Sequence, residues 1–146
     1  MATVSTYLNF RNSTEEAFSF YKKIFGTEYA GEGLMRFGDV PPSVNMPPMP
    51  ENEKKLIMHV TLPILGGYLL MGSDAPDSMP FQITQGNNVY IMLSPDTRAE
   101  TKRLFNSLSE GGKIEQELQE MFWGDYYGSF TDKFGIKWML NCAEKA

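Results

Sequence analysis

An α+β fold built from two βαβββ modules is what this sequence predicts, and three observations carry it. Two amphipathic segments with helix-start spacing begin near residues 13 and 97. Each is preceded by one β-type run and followed by three more. A stretch rich in Pro, Ser and Asp, residues 74–86, separates the two sets. The modules therefore run from about residue 1 to 75 and from about 86 to 146, within one domain of 146 residues.

In the first module YLNF, residues 7–10, reads as a short strand. Ser13 and Glu16 then have the spacing of a capping box, and Glu15 and Glu16 suit the positive end of a helix. Ala17, Phe20, Tyr21 and Ile24 recur on one helical face, and Gly26 is the expected stop, so a helix is predicted over 14–25. Three strands are expected next, in EYAGEGLMRF (28–37), KLIMHVTLPI (55–64) and GGYLLMGSD (66–74). Between the first two lies residues 38–55, which hold five of the nine prolines and show no apolar period. An exposed, partly mobile excursion is expected there, suited to a flap or a contact with a partner chain.

The second module repeats the order. NNVYIMLS (87–94) is a strand and PDTRAETKRLFNSLSEGG (95–112) a helix, with Thr97 and Glu100 at capping-box spacing. Leu104, Phe105 and Leu108 form its buried side, and Gly111-Gly112 ends it. KIEQELQEMFW (113–123), YYGSFTD (126–132) and IKWMLNC (136–142) supply the remaining strands, the last two joined by a Lys133-Phe134-Gly135 turn. One helix on four strands has little to bury alone, so two such units packed edge to edge are expected. The repeat lies in element order and not in residue identity.

Composition excludes some functions. A net charge of −5 argues against a nucleic-acid partner, which needs concentrated Lys and Arg. The pairs Lys22-Lys23 and Lys54-Lys55 have Glu15, Glu16, Glu51 and Glu53 nearby, so they read as solvated faces. The single cysteine, Cys142, has no partner for an internal disulfide and reads as a buried, inert thiol. MATVSTYLNF lacks a basic, apolar leader, and no run is long enough for a membrane helix, so a cytoplasmic protein is expected.

The segments YLNF, EEAFSFYKKIFG, MHVTLPILGGYLLMGSD and GGKIEQELQEMFWGDYYGSFTDKFGIKWMLN resemble the PhnB-like branch of the vicinal oxygen chelate superfamily, the superfamily of glyoxalase I and the extradiol dioxygenases. The resemblance covers nearly the whole chain apart from the proline-rich stretch. It implies a curled mixed sheet around a cup, and homodimers that share sheet edges or swap halves.

The resemblance also implies a divalent metal held by His, Glu or Gln from the first and last strands of each half. A metal centre needs two to four converging donors and one position open to substrate. STYLNF offers Asn9 and hydroxyls, GGYLLMG a phenol, NNVYIMLS asparagines with Tyr90 and Ser94, and GIKWMLNC Asn141 and a cysteine. Where the glyoxalase pattern implies a glutamate, this sequence has Trp138 and Met139. No metal and no cofactor are expected. Branch members are often labelled demethylubiquinone methyltransferase-like. The one glycine pair suited to a methyl-donor cofactor, GEG at 31–33, precedes a strand and not a helix, which argues against that chemistry.

His59 is the only histidine. It is open to two readings, a hydrogen-bonded strand residue or a ligand-orienting, proton-transferring group, with Asp74 or Asp125 as conceivable neighbours. In WGDYYGSFTDKFGIKWML, alternation puts Met121, Trp123, Asp125 and Tyr127 on one face and Phe122, Gly124, Tyr126 and Gly128 on the other. Gly124 and Gly128 suggest a bulge or a close approach of backbone. Taken singly these aromatics read as core that closes the fold, whereas as a cluster around an acid they suit a pocket wall. Met58, Met71, Met92 and Met139 read as core filler that would also make a cup adaptable.

The candidate ligand-binding set is Asn9, His59, Tyr90, Trp123, Asp125, Tyr127 and Met139. Three functions compete. The first is metal-free binding of a small apolar or mixed-polarity molecule by a homodimer. The second is a lyase, isomerase or oxygenase acting on a vicinal-oxygen substrate through His59 or an atypical metal. The third is an interaction module whose pocket is vestigial.

Overall fold

The structure is a computed structural model that describes residues 1–41, 44–45 and 47–146. Two units can be separated, Met1–Thr84 and Gln85–Ala146. The first contains β1 (Thr6–Phe10), α1 (Thr14–Phe25), β2 (Met35–Arg36), β3 (Ile57–Pro63) and β4 (Leu69–Asp74). The second contains β5 (Ile91–Leu93), α2 (Arg98–Ser109), β6 (Lys113–Glu120), β7 (Tyr126–Thr131) and β8 (Lys137–Cys142). Each unit thus has the predicted order of strand, helix and three strands.

The two sheets share one plan. In the first the strand order is β1-β4-β3-β2, and in the second β5-β8-β7-β6. The strand that opens each unit pairs parallel with the one that closes it, and the other ladders are antiparallel. A helix is what lets two parallel neighbours be joined, and it covers one face of the sheet.

Packing beneath α1 depends on a glycine. Ala17, Phe18, Tyr21 and Ile24 are buried, and the Phe18 ring lies so close to β4 that a Cβ on Gly72 would come within 2.5 Å of it. The second unit repeats the device on another strand. Thr101, Leu104, Phe105 and Leu108 of α2 are buried, and a Cβ on Gly128 of β7 would meet the Phe105 ring at 2.7 Å. Gly128 is therefore the expected close approach. Phe105 also meets Phe130 edge to face, with centroids 5.1 Å apart. Trp138, Leu140 and Cys142 of β8 complete this core, and Cys142 is fully buried.

The helix limits match the sequence reading, but the two caps are built differently. Thr97 accepts a hydrogen bond from the Glu100 backbone N–H at 3.1 Å, as the spacing predicts. Thr97→Ala is expected to cost about 1 kcal/mol in urea unfolding. Ser13 makes no such bond. The first N–H of α1, on Thr14, instead donates to the Asp74 carboxylate at 3.0 Å, and the Thr14 hydroxyl donates to the same oxygen at 2.8 Å. The capping box expected at Ser13 and Glu16 is replaced by an acid 60 residues away.

Three other expectations change. The strand expected over 28–37 contracts to Met35–Arg36, because Gly31 and Gly33 adopt φ of 62° and 76° and turn the chain. The strand expected over 113–123 ends at Glu120, and a turn follows in which Met121 N–H donates to Asp125 O and Gly124, at φ 100°, donates to Met121 O. Alternation therefore does not continue through 121–125. The expected linker 74–86 starts later, since Asp74 closes β4, Ala75 N–H donates to Phe10 O, and both Ala75 and Pro76 are buried. Beyond them Asp77 pairs with Arg11, and Ser78 donates to the buried Glu53.

The proline-rich stretch begins and ends in short 3-10 turns, Phe37–Asp39 and Glu51–Glu53. Gly38 N–H donates to Lys54 O at 2.8 Å and Phe37 N–H to Leu56 O at 3.0 Å, so its ends are tied together. The mobility expected of it concerns residues 42, 43 and 46 as well, and these lie outside the described residues.

Candidate functional site

Each helix covers one face of its sheet, so polar chemistry is to be sought on the other. In the first unit the β1–β4 and β3–β4 registers place Tyr7 and Thr61 both opposite Met71, with Asn9 opposite Ser73. Burial agrees: Leu70, Gly72 and Asp74 are buried toward α1, whereas Met71 and Ser73 are only half-buried. Tyr7, Asn9, Thr61, Met71 and Ser73 therefore line the open face, together with His59, two residues before Thr61.

On this face three side chains form a chain of hydrogen bonds. The Tyr7 hydroxyl reaches across β4 to His59 Nδ1 at 3.3 Å, and His59 Nε2 meets Thr61 Oγ1 at 2.9 Å. The Tyr7 and His59 rings are 5.7 Å apart and tilted by 37°. His59 is half-buried and Tyr7 is 47% exposed. The six residues named on this face include no carboxylate, ammonium or guanidinium. Asn9 is exposed on the same face, two residues along β1 from Tyr7.

The open face of the second unit has a different character. Tyr127 stands opposite Asn141, and Ser129 and Met92 both stand opposite Met139. The Tyr127 hydroxyl points at the Met139 sulfur, 4.0 Å away. Trp123 projects from the β6–β7 turn, 49% exposed, with its ring 6.4 Å from Tyr127 and 5.0 Å from Phe122. Trp123, Tyr127 and Met139 are thus brought together, although not by the alternation that the sequence suggests.

Asp125 is tied to its surroundings. It accepts from Asn141 Nδ2 at 3.0 Å and pairs with Lys145 at 3.4 Å. The Asn141 hydrogen bond, more than the nearby ammonium, holds its carboxyl below the usual range. Tyr90 belongs to a second polar group. Its hydroxyl donates to Glu115 at 2.7 Å, and Lys137 sits 5.4 Å above its ring. Lys137 also pairs with Glu115, and Thr131 donates to the same carboxylate at 3.1 Å.

Hydrogen bonding shifts these groups in concert. The Lys137 and Tyr90 hydrogen bonds lower Glu115, while that carboxylate raises both Lys137 and the Tyr90 phenol. All three keep their neutral-pH ionisation states, and Lys137 stays a fixed cation. Such a lysine is unsuited to nucleophilic chemistry, which needs a depressed pKa.

Some of these residues escaped the sequence reading. Tyr7 and Thr61 are each two residues from a candidate, Asn9 and His59, so strand alternation would have placed them on the same face. Glu115 and Lys137 meet only through the β6–β7–β8 registers, for which the sequence holds no local signal.

The donor set can be tested against the metal that the resemblance implies. Asp74, just beyond the GGYLLMG run weighed for ligands, closes the last strand of the first unit and adds an acid to it, a correction to a donor set of one phenol. It is nevertheless 5% exposed on the helix side, and its oxygens are bonded to Thr14 and to the Ile57 N–H at 2.8 Å. On the open faces β1 supplies Tyr7 and Asn9, β4 Met71 and Ser73, β5 Met92, and β8 Lys137, Met139 and Asn141. Neutral amides, hydroxyls, thioethers and an ammonium do not make a divalent site. Among the described residues no three His, Cys, Asp or Glu side chains are grouped to hold an ion. The residues present do not fit the superfamily's metal.

The glycines at 31 and 33 fit a methyl-donor site no better. They form a turn that leads into the two-residue strand β2 and not into a helix, so no row of helix N-terminal N–H groups faces a cofactor.

Residues 4–140 match the model of the Glyoxalase/Bleomycin resistance protein/Dioxygenase superfamily. The chain is 31% identical to Protein YjdN of Escherichia coli strain K12, over 97% of this chain and 96% of that protein. The structure of protein PA1353 from Pseudomonas aeruginosa is similar at a TM-score of 0.80 and 37% identity, covering 97% of this chain and 98% of that one. A PhnB protein from Bacillus cereus, whose name carries a 3-demethylubiquinone-9 3-methyltransferase assignment, is similar at a TM-score of 0.73 and 24% identity, over 97% and 100% of the two chains. At that identity the likeness to PhnB speaks for the fold. With a family match spanning residues 4–140 and a relative 31% identical along nearly all of both chains, this chain belongs to the glyoxalase/bleomycin resistance/dioxygenase superfamily.

Proposed function

We propose that the chain binds a small, uncharged organic molecule on the open faces of its sheets and does so without a resident divalent metal. The observation that carries this reading is the composition of the first open face. Tyr7, His59, Thr61, Asn9 and Ser73 offer hydrogen-bonding groups beside Met71, and no formal charge stands among them to attract an ion or hold a metal. Apolar surface with a few placed polar groups is what a small-molecule site requires. Asn9 and His59 are the contacts proposed there, and Tyr90, Trp123, Tyr127 and Met139 those of the second unit. Asp125 is proposed to act through Asn141, because its carboxylate is already occupied.

The experiment pairs metal content with ligand binding. After dialysis against zinc and nickel and then buffer, elemental analysis is expected to find far less than stoichiometric metal. Saturation-transfer NMR with α-hydroxyacetophenone is expected to show contact, weakened in Asn9→Ala. Stoichiometric tight metal, or no contact with the probe, overturns the reading.

The protein is further proposed to work as a cytoplasmic homodimer. No helix of the described residues is long and apolar enough to cross a membrane. Val89, Met92 and Phe122 are 74%, 56% and 98% exposed, apolar side chains of the kind that a second copy would cover. Light scattering should then return twice the 16.5 kDa chain mass, and a monomer at micromolar concentration would remove dimerisation from the proposal.

A further inference from the structure

We propose that residues 47–50 form a preorganised polyproline II strap that docks on the Phe122 and Trp123 rings of a second copy of this chain. The inference rests on the dimer reading above and names two surfaces that meet in it.

Residues 47–50 read Pro-Pro-Met-Pro. The pyrrolidine ring fixes φ at Pro47, Pro48 and Pro50. A residue that precedes a proline is pushed to extended backbone, which restricts Pro47 and Met49 as well. Pro50 has φ −57° and ψ 144°, values of the polyproline II helix. The segment joins no helix or ladder, and Pro47, Pro48 and Pro50 are exposed. Its far end is anchored, since Glu53 N–H donates to Pro50 O at 3.0 Å and the buried Glu53 carboxylate accepts from Ser78 N–H at 3.2 Å. The strap is thus extended and held before anything touches it, which lowers the entropy lost on docking.

The aromatic surface is equally fixed. Met121 N–H donates to Asp125 O and Gly124 N–H to Met121 O, both at 2.8 Å, so the turn that carries the two rings is closed at each end. Phe122 is 98% exposed and Trp123 49%, and their rings stand at 88° with centroids 5.0 Å apart. Two rings at right angles form a step against which a proline ring can pack. The Trp123 indole N–H donates to no acceptor among the described residues. A polyproline II backbone carries carbonyls without internal partners, and those of Pro47, Pro48 and Met49 accept no backbone N–H among the described residues. The docked strap would supply the acceptor that the indole lacks.

Chemical complementarity selects a second copy as the partner. Aromatic-lined surfaces are the receptors of polyproline II segments, and this one chain carries both halves of that pair. Pro47, Pro48 and Pro50 are exposed in the same chain that exposes Phe122, so both halves are open to another copy. None of the four strap residues is charged, nor is Phe122 or Trp123, which suits the dry centre of a contact. A twofold axis would pair strap with step twice, using each surface once per copy. A strap that served only as a rigid spacer would leave Phe122, which the ligand reading does not use, without a role.

The test is complementation between two variants of the full chain, followed by sedimentation equilibrium. The double variants Pro47→Gly/Pro48→Gly and Phe122→Ala/Trp123→Ala should each weaken self-association by about 10-fold or more. Mixed in equal amounts they should associate more tightly than either does alone, because the heterodimer keeps one intact strap facing one intact step. Loosened packing within a chain would not produce that recovery. Circular dichroism checks folding, and if the aromatic double variant does not fold, Phe122→Ser takes its place in the mixture. Trp138→Phe leaves Trp123 as the only tryptophan, and its emission in the dimer should move to the red when Pro47→Gly/Pro48→Gly is added. A dimer whose affinity either variant leaves unchanged, a mixture no tighter than its parts, or an unmoved Trp123 emission overturns the docking and leaves dimerisation standing. A wild-type chain that stays monomeric removes the dimer reading and the docking together.

Discussion

Asp74→Ala is expected to lower the unfolding free energy by about 3–5 kcal/mol, measured by urea denaturation. The carboxylate is 5% exposed and joins three elements: it closes β4, caps α1 through the Thr14 N–H and hydroxyl, and accepts the Ile57 N–H where β3 begins. Hydrogen bonds to a charged acceptor contribute about 1.5–3 kcal/mol each, and alanine would leave two buried N–H groups without a partner. Removing a buried charge recovers some desolvation cost, which keeps the net below the sum of the bonds. Asp74→Asn should lose roughly half as much, since one oxygen can still accept but the amide NH2 faces a donor. Ser13→Ala is the control, expected within about 0.5 kcal/mol of wild type because the Ser13 side chain makes no capping bond. If Ser13→Ala proved the more damaging, the cap would be the one read from local spacing and not the one in the fold.

That contrast shows what the residues disclose on their own. Helix limits at Thr14–Phe25 and the cap at Thr97 follow from signals within four residues of each other, so they are legible. The cap on α1 is not, because its acceptor arrives from the far end of the unit. Likewise His59 stands out as the one histidine, but Tyr7 lies 52 residues before it, and only the β1–β4–β3 register brings the two together. The strand expected through Trp123 failed for a nearby reason: the sequence marks Gly124 as special without saying whether it bulges a strand or turns a hairpin. The left-handed backbone there chose the turn.

The placement of acids accounts for the character of the site. Asp74 and Asp132 are buried on the helix sides of their sheets, where they hold backbone N–H groups. Glu115 and Asp125 belong to the second unit, and each is occupied by a lysine together with hydroxyl or amide donors. These four carboxylates are therefore committed to structure or to ion pairs. What remains on the first open face is hydroxyl, amide, imidazole and thioether, the groups on which the proposed binding of an uncharged molecule rests.

Asp132→Ala is the counterpart in the second unit, with an expected loss also of about 3–5 kcal/mol. Asp132 is 3% exposed and follows β7 directly. One oxygen accepts from Phe134 N–H and Ile136 N–H, both at 2.9 Å, which shapes the turn that Gly135 completes at φ 89°. The other accepts from the indole N–H of Trp138, also at 2.9 Å, and Trp138 is fully buried in the core under α2. A single carboxylate thus sets the β7–β8 turn and accepts from the polar atom of the largest core side chain, so its loss takes an acceptor from one buried and two part-buried donors. Trp138→Phe removes the indole donor with its ring and should cost less, about 1–3 kcal/mol, because the turn keeps its acceptor. Trp123 is the only other tryptophan, so the Trp123→Phe background lets Trp138 fluorescence report the transition. An Asp132→Ala protein that unfolds at the wild-type urea midpoint in that background would show that the turn forms without its acid and that the indole N–H finds another acceptor.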